Sequence, residues 1–325
     1  MSKRTLTLGK LRGLSQCAAG DGIFNILALD HRQAVKKTFF DRPDPYAEAV
    51  SFKRDVVRTL TPLSTAVLLD PSIGAGPCLT DYSLPGSCGL IVTVEASGYE
   101  GPSHRRISRL PADWNVGRIK RMGASAVKLL VYYHPQAENA AEMRELVQFV
   151  SEECRRFDVA LFLEVLTYSP NPDVNKLTRD EFAEAVVQSA ADLTSLGADV
   201  YKAEFPIDVK NQPDPARWLE SCRLLNDASV IPWVILSAGV DYDVFAQQAI
   251  IACQAGASGI LAGRAIWKEA LESPVNKRQD LLTSVGRRRM SQLGATCSQY
   301  GRSYREFYAT DSLGEDWYTT YADLA

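Results

Sequence analysis

The stretch "ADVYKAEFP" (198–206) contains a lysine, Lys202, within a run that otherwise has the composition of a buried β-strand. Val200 and Tyr201 precede the lysine, and Ala203 follows it. Burying an unpaired ammonium group is costly because the charge loses its hydration. The run therefore predicts a buried strand whose lysine is present for its chemistry.

Short apolar runs of the same kind recur along the whole chain. Most are rich in Val, Ile and Leu without alternating polar residues, which is typical of parallel strands covered on both faces. The eight runs are "IFNILAL" (23–29), "TAVLLD" (65–70), "LIVTVE" (90–95), "AVKLLVYY" (126–133), "ALFLEVLTY" (160–168), "VYKAEF" (200–205), "WVILSAG" (233–239) and "GILAG" (259–263).

Amphipathic segments with helical spacing separate these runs, and eight strands alternating with helices is the number for a (β/α)₈ barrel. A doubly wound sheet is the alternative, but it usually has a glycine-rich turn after its first strand, and "LALDHRQAV" (27–35) has none. The sequence predicts an α/β protein, a single TIM-barrel domain over 1–325. We place the barrel at about 20–290 and a Tyr-rich helical or irregular extension, packed on the barrel or at a subunit interface, at 291–325.

The composition excludes several classes of function. The chain has 325 residues, 46% of them hydrophobic, and a net charge of −3, so it lacks the basic surface typical of nucleic-acid or membrane binding. The basic N-terminus "MSKRTLTLGKLRGLSQ" (1–16) has no apolar core, and no apolar run approaches the roughly 20 residues of a membrane helix. We expect a cytoplasmic protein without nucleic-acid or membrane partners.

Cysteine and histidine spacing predicts neither disulfides nor a metal site. The seven scattered cysteines include no C-x-x-C pair, which favours reduced thiols. His31, His104 and His134 lie in different predicted loops without H-x-H or H-E-x-x-H spacing. A serine hydrolase is disfavoured because there is no G-x-S-x-G motif.

Polar and ionisable residues gather where the predicted strands end, which is where barrels of this type place their active sites. They are Asp30, His31 and Arg32 after the first strand, Asp70 after the second, Lys128 in the fourth, Glu164 in the fifth, Lys202 in the sixth, Ser237 and Gly239 after the seventh, and Gly263 and Arg264 after the eighth.

Lys128, Glu164 and Lys202 belong to three neighbouring strands. A single buried lysine could simply reach the rim or pair with a carboxylate. Two lysines with a glutamate between them indicate a catalytic role. The positive charge of each lysine disfavours protonation of the other, and burial acts in the same direction, so one amine can be neutral near pH 7. A neutral amine, a second amine and a carboxylate are the groups that Schiff-base chemistry requires.

The ends of strands seven and eight predict an anion site. "LSAGVD" (236–241) and "LAGRAIW" (261–267) place small residues where backbone N–H groups can face an anion, and Arg264 adds a fixed charge. Phosphate sites in barrels commonly form there. Glycines that merely allow tight turns are the simpler alternative.

Taken together, these stretches resemble the class I (Schiff-base) aldolases related to tagatose 1,6-bisphosphate aldolase, and their sulfosugar relatives. The resemblance covers about 20 to 270. It rests on "ILALDHRQAV" (26–35), "STAVLLDPSIG" (64–74), "EASGYEG" (95–101), "GASAVKLLVYYHP" (123–135), "LFLEVLTY" (161–168), "GADVYKAEFP" (197–206), "WVILSAGVD" (233–241) and "AGASGILAGRAIW" (255–267).

The resemblance implies a role for each predicted site residue. Lys202 would form the Schiff base, Glu164 would move the proton of the substrate hydroxyl, and Lys128 would assist both. Asp30 and Arg32 would face the sugar, and His31 stands where the family usually has glutamine. The four residues expected to hold the C1 phosphate are Ser237, Gly239, Gly263 and Arg264. The resemblance also implies a sugar-phosphate substrate, no cofactor or metal, and a homo-oligomer.

Two branches of the family match. "ASGYEG" (96–101) and the tail ending "EDWYTTYA" (315–322) favour the tagatose 1,6-bisphosphate branch, whose products are dihydroxyacetone phosphate and glyceraldehyde 3-phosphate. "WVILSAGVD" is closer to the aldolase that cleaves 6-deoxy-6-sulfofructose 1-phosphate to dihydroxyacetone phosphate and sulfolactaldehyde. We favour the bisphosphate branch. A sugar-phosphate isomerase or decarboxylase, or a non-catalytic sugar-phosphate sensor on the same scaffold, remains an alternative.

Overall fold

Eight parallel strands form a closed barrel in a computed structural model, which describes residues 3–209, 214–310, 312–319 and 321. Each strand pairs with its neighbours in chain order, and the first pairs with the eighth. The TIM-barrel prediction is confirmed, and the doubly wound alternative is excluded because the sheet closes. The strands are β1 (Phe24–Leu29), β2 (Ala66–Leu69), β3 (Gly89–Thr93), β4 (Ala126–Tyr132), β5 (Ala160–Leu166), β6 (Val200–Ala203), β7 (Trp233–Leu236) and β8 (Gly259–Ala262).

Helices surround the barrel. Those in the described residues are α1 (Leu8–Cys17), α2 (Gln33–Thr38), α3 (Pro45–Leu60), α4 (Gly76–Thr80), α5 (Val116–Arg121), α6 (Ala140–Arg156), α7 (Arg179–Leu193), α8 (Pro215–Ala228), α9 (Tyr242–Gln254), α10 (Arg264–Glu272), α11 (Val275–Leu281) and α12 (Arg287–Tyr300). None of these helices is both long enough and apolar enough to cross a membrane.

The strands bury both of their faces. In β1, Phe24, Ile26 and Ala28 point into the barrel, whereas Leu27 and Leu29 pack against the outer helices. A strand with apolar neighbours on both sides needs no polar alternation, which explains the continuous apolar runs in the sequence.

Buried apolar side chains that include Leu14, Cys17 and Phe24 close the N-terminal end of the barrel, and we call this cluster the apolar plug. Helix α1 contributes Leu14 and Cys17 to the cluster of side chains that fills the barrel interior. It approaches closely at Gly13, where an added Cβ would lie 2.2 Å from the carbonyl oxygen of Ser125. The opposite, C-terminal end is therefore the end that remains open for a site.

The C-terminal segment packs on the barrel. Helix α12 contacts α9 and β1, and it runs across the boundary that we expected at 290. Beyond it, Tyr308–Ala309 pairs in parallel with Arg4–Thr5, and the ring of Tyr304 stacks on Phe24 inside the apolar plug. The described part of the extension thus covers the closed end of the barrel; residues 311, 320 and 322–325 lie outside the described residues.

The cysteines behave as core residues. All seven are buried and free of disulfide bonds. Burial raises the pKa of both the Cys78 and the Cys88 thiol to about 12, so these two are protonated at neutral pH.

Candidate active site

A cavity of about 410 Å³ opens at the C-terminal ends of the strands. The structure brings nine of the ten predicted site residues together in its lining. These nine are Asp30, His31, Arg32, Lys128, Glu164, Lys202, Ser237, Gly263 and Arg264. The tenth, Gly239, does not line the cavity but lies directly behind Arg264.

Strand register places Glu164 between two lysines. Glu164 is the register partner of Lys202 across β5 and β6, and Lys128 extends from the adjacent β4. Glu164 Oε2 lies 2.8 Å from Lys202 Nζ and 2.8 Å from Lys128 Nζ. The side chains of Lys128, Glu164 and Lys202 are only 1%, 8% and 5% exposed. The predicted approach of two amines across one carboxylate is therefore present.

Lys128 is surrounded by carboxylates. Its Nζ lies 3.0 Å from Asp30 Oδ2 and 2.8 Å from Glu95 Oε1, in addition to its contact with Glu164. Burial alone would lower the pKa of Lys128, but these three negative charges outweigh it and hold the pKa well above its usual value. Lys128 is therefore an ammonium at neutral pH. Among the described residues, no three His, Cys, Asp or Glu side chains are grouped to hold a metal ion.

Two of the carboxylates that face the lysines, Glu164 and Asp30, have lowered pKa values. Burial would raise the pKa of Glu164, but Lys128 and Lys202 lower it below its ordinary value. The same two lysines, together with His31, overcome burial and lower the pKa of Asp30 strongly. Glu164 is therefore available as a base between the two amines.

Glu95 is a member of the site that the sequence analysis did not select. It follows β3, faces Lys128 and accepts a hydrogen bond from it. Burial raises the pKa of Glu95 in spite of Lys128, and its second oxygen, Oε2, has no hydrogen-bond partner among the described residues. The signal in the sequence was its position at the end of the run "LIVTVE" (90–95), because the C-terminal ends of barrel strands carry the active site.

Asp70, the other polar residue at a strand end, has a structural partner instead. It forms an ion pair with Lys53 of α3, and both side chains are fully buried. Asp70 also accepts hydrogen bonds from the backbone N–H groups of Ser72 and Ile73, each at 2.9 Å. These contacts fix the turn after β2, and Asp70 does not line the cavity.

The side of the cavity formed by β7 and β8 suits an anion. Helix α10 begins at Arg264 and directs its N-terminus toward the cavity, and Ser237 Oγ accepts a hydrogen bond from the Gly263 N–H at 3.3 Å. Gly239 has a φ of +78°, and an added Cβ there would lie 2.8 Å from Arg264 Cζ. A side chain at 239 would therefore displace the guanidinium.

His31 is held against an aromatic wall. Its ring makes an edge contact with Trp267, with centroids 5.2 Å apart, and its Nδ1 lies 3.7 Å from Asp30 Oδ1. Burial lowers the pKa of His31 to about 4. Arg264 also lowers it, whereas Asp30 acts to raise it. At neutral pH His31 is therefore uncharged, as a glutamine would be.

Arg32 is anchored to the third strand. Its Nη2 donates to Thr93 Oγ1 at 3.1 Å and to the carbonyl oxygen of Glu95 at 2.7 Å. These bonds join the end of β1 to the end of β3 and direct the guanidinium along the cavity wall. Arg32 also lines the cavity.

Glu204 is a second residue that the sequence analysis missed. It follows Lys202 by two positions, lines the cavity and accepts a hydrogen bond from the Thr167 N–H at 2.7 Å. Burial raises the pKa of Glu204 to about 7, with Glu164 adding to the shift. Its spacing from Lys202 in "VYKAEF" placed it on the same strand face and was the available signal.

This arrangement can carry out chemistry on a carbonyl compound that bears an anionic group. A buried amine at Lys202 adjoins a carboxylate that can take or return a proton, and a second, permanently charged amine fixes that carboxylate. The helix terminus and Arg264 supply an anchor for an anionic group on the other side. These are the elements of nucleophilic amine catalysis with general acid–base assistance.

Comparison with known proteins gives matches to aldolases. The model of the DeoC/LacD family of aldolases matches residues 24–269. The tagatose 1,6-diphosphate aldolase of Listeria monocytogenes (strain EGD-e) is 32% identical over 291 residues, which cover 82% of this chain and 84% of that protein. The tagatose 1,6-diphosphate aldolase 2 of Enterococcus faecalis is 28% identical over 335 residues, covering 92% and 97%.

Solved structures show the same fold. A Schiff-base-forming fructose-1,6-bisphosphate aldolase superposes with a TM-score of 0.59 at 21% identity, covering 87% of this chain and 97% of that one. An archaeal fructose-1,6-bisphosphate aldolase, solved with its catalytic lysine bound to a carbinolamine intermediate, has a TM-score of 0.59 at 20% identity, covering 88% and 98%. By the family match and the identity to its relatives, the chain belongs to the DeoC/LacD family of aldolases, which are lyases.

Proposed function

We propose that the protein is a class I aldolase that cleaves a ketohexose 1,6-bisphosphate of the tagatose type through a Schiff base on Lys202. The products are dihydroxyacetone phosphate and glyceraldehyde 3-phosphate. The observation that carries the proposal is the position of Glu164, 2.8 Å from the amines of both Lys202 and Lys128 inside the barrel. The names of the Listeria and Enterococcus relatives support the choice of sugar.

Lys202 is the better nucleophile of the two lysines. Lys128 contacts three carboxylates, which keep it protonated, and an ammonium cannot attack a carbonyl carbon. Lys202 contacts only one carboxylate among the described residues, Glu164.

The proposed reaction begins with attack of the Lys202 amine on C2 of the open-chain ketose. Loss of water from the carbinolamine gives an iminium ion, which acts as the electron sink. Glu164 removes the proton of the C4 hydroxyl, the C3–C4 bond breaks, and its electrons form the enamine as glyceraldehyde 3-phosphate leaves. Protonation of the enamine at C3 and hydrolysis of the imine release dihydroxyacetone phosphate and regenerate Lys202. The iminium does the polarising for which metal-dependent enzymes use a bound ion, so the proposal needs no metal.

The substrate is held at its C1 phosphate. Arg264, the N-terminus of α10 and the hydroxyl of Ser237 provide the donors. Gly239 supports them because it allows Arg264 to lie against its backbone. Asp30 and Arg32 line the wall along which the sugar hydroxyls extend.

Borohydride reduction tests the covalent step directly. Incubation with dihydroxyacetone phosphate and borohydride should add the mass of the reduced adduct to a peptide that contains Lys202. The Lys202→Met variant should show no adduct and no turnover. An adduct on another lysine, or turnover in the variant, would overturn the proposal.

A further inference from the structure

Arg106 is held in a fixed position at the open end of the barrel. It belongs to the loop after β3, in which Glu100 and Ile107 exchange two backbone hydrogen bonds of 2.9 Å and form a short hairpin. The carbonyl oxygen of Arg106 accepts a hydrogen bond from Asn139 Nδ2 at 2.8 Å, and Asn139 is buried. Ser108 Oγ accepts one from the Tyr132 N–H at 3.1 Å. The hairpin is thus tied to the barrel on both sides of Arg106.

Three tyrosine rings surround the guanidinium of Arg106. Its Cζ lies 4.8 Å from the ring centroid of Tyr99, 5.6 Å from that of Tyr132 and 5.2 Å from that of Tyr168. We call these three rings the tyrosine cage. Aromatic faces attract a cation without neutralising it. The Nε of Arg106 donates to the Ser103 carbonyl oxygen at 3.0 Å, which leaves its two Nη groups without an acceptor among the described residues.

Within the part of the chain that the structure describes, the charge of Arg106 is also unpaired, unlike those of its neighbours. Arg105 forms an ion pair with Glu138 at 3.6 Å, and Arg109 forms one with Glu142 at 2.6 Å. No carboxylate among the described residues forms an ion pair with Arg106. A fixed, unpaired guanidinium with free planar donors is the group that binds phosphate or sulfonate oxygens best.

Arg106 lies on the side of the barrel opposite the proposed C1-phosphate site. Arg264 follows β8, whereas Tyr132 of the cage ends β4, four strands away around an eight-strand barrel. Tyr132 lines the active-site cavity together with Glu164. Burial raises the pKa of Tyr132, and the charge of Glu164 raises it as well. The order across the cavity is therefore Arg264, the lysine–glutamate cluster and Tyr132, and Arg106 lies beyond Tyr132, outside the cavity lining.

We propose that Arg106 binds the anionic group at C6 of the substrate, so that the enzyme selects ketose 1-phosphates with a phosphate or a sulfonate at that carbon. This inference rests on the proposed function, because C2 bound to Lys202 and C1 phosphate at Arg264 direct C4 to C6 toward β4. The tyrosine cage holds the guanidinium ready, which lowers the entropy cost of binding the distal group.

A second cavity beside the first provides room for that group. It has a volume of about 350 Å³, is lined by Arg106, Lys176 and Arg179, and shares Glu204 with the active-site cavity. Among the lining residues that the structure describes, the carboxyl groups are Glu204 and Asp208, so the three cations outnumber them. The distal region is therefore open and carries the charge that an anion needs.

The test uses two pairs of substrates, each differing only at C6: tagatose 1,6-bisphosphate with tagatose 1-phosphate, and fructose 1,6-bisphosphate with 6-deoxy-6-sulfofructose 1-phosphate. Arg106→Ala and Arg106→Lys are assayed on all four. Arg105→Ala is the matched control, since this neighbour is paired with Glu138 at the surface. We expect Arg106→Ala to lower kcat/KM about 10- to 100-fold on whichever C6-charged substrate the wild type prefers, mainly through KM. Arg106→Lys should lose less kcat/KM on that substrate than Arg106→Ala. Both variants should convert tagatose 1-phosphate at a rate within about twofold of the wild-type rate.

Two outcomes would overturn the inference. An unchanged kcat/KM on the C6-charged substrate would show that Arg106 does not bind that group. An equal loss on tagatose 1-phosphate would show a structural role instead. Failure of the proposed function looks different, because the wild type would then form no borohydride adduct with dihydroxyacetone phosphate, which has no C6. The wild-type ratio between fructose 1,6-bisphosphate and 6-deoxy-6-sulfofructose 1-phosphate, which share their configuration at C4, identifies which C6 anion the site takes.

Discussion

Glu164 and Lys202 are register partners on β5 and β6, and Glu164 Oε2 lies 2.8 Å from Lys202 Nζ. The same oxygen lies 2.8 Å from Lys128 Nζ. One carboxylate therefore connects the amine that we propose as nucleophile with the amine that stays charged. Its removal should affect proton transfer more than covalent binding.

Glu164→Gln tests this division of roles. A glutamine keeps the shape of the side chain but cannot accept the C4 hydroxyl proton. We expect kcat for cleavage to fall about 10²- to 10⁴-fold, the usual contribution of a positioned general base. Borohydride should still trap dihydroxyacetone phosphate on Lys202. Loss of trapping with the fold intact would mean instead that Glu164 is needed to form the imine.

Lys128→Met tests the charge balance of the acidic cluster. The variant leaves Asp30, Glu95 and Glu164 buried without their shared cation, which typically costs about 3–5 kcal/mol. In the wild type, the lowered pKa values of Asp30 and Glu164 contribute stability that is present above their unfolded pKa values and is lost as pH falls through the folded ones. The raised pKa of Lys128 contributes stability below its unfolded pKa that is lost only as pH rises through the folded value.

In the Lys128→Met variant, the carboxylates have the opposite effect on the pH dependence of stability. Without Lys128 their pKa values rise in the folded state, so folding favours their protonated forms and stability falls with rising pH. Urea unfolding should therefore show a gap between wild type and variant that widens from pH 5 to pH 8. A gap that does not depend on pH would contradict the electrostatic account.

Gly239→Ala tests the support of the C1-phosphate site. The added Cβ would lie 2.8 Å from Arg264 Cζ, at a residue whose φ is +78°. Gly123→Ala is the matched control, because Gly123 has a φ of +88° but open space where the Cβ would go. Both variants should lose about 1–2 kcal/mol of stability from backbone strain, but only Gly239→Ala should raise KM for 1-phosphorylated ketoses, about tenfold or more. Equal KM values in the two variants would remove Gly239 from the anion site.

The pKa of Glu204 predicts a pH dependence of substrate binding. Burial raises this pKa to about 7. Glu164 acts in the same direction, whereas the Thr167 N–H and Arg106 act to lower the pKa. As pH rises through 7, Glu204 becomes an anion beside the proposed C6 group, so KM for the C6-charged substrate should increase. Glu204→Gln should flatten this increase between pH 6 and 8. If KM of the variant follows the wild-type profile, the dependence belongs to the phosphate groups of the substrate, which also titrate near pH 6.

Chelation tests the proposed independence from metal ions. Because the iminium serves as the electron sink, dialysis against EDTA should leave kcat unchanged. Activity that is lost on chelation and recovered with zinc would assign the enzyme to a metal-dependent mechanism.

The sequence alone was sufficient to predict the barrel and most of the cavity. Runs of five to nine mostly apolar residues are typical of strands buried on both faces, and eight of them alternating with helices leave few architectures. Since barrel enzymes carry their sites at the C-terminal ends of the strands, Lys128, Glu164 and Lys202 could be placed together before any coordinates. These residues were predictable because strand order and strand period are local properties of the chain.

The tertiary structure decided which partners each charge has. Asp70 and Glu95 both follow strands, yet Asp70 pairs with Lys53 of an outer helix while Glu95 faces Lys128. Arg105 and Arg106 are adjacent, yet one pairs at the surface and the other lies among three tyrosines from separate segments. Such contacts join residues far apart in the chain, and loop geometry and barrel closure determine them. Because the state of a buried charge depends on these distant neighbours, the chemistry of the site could be located from the sequence but completed only from the fold.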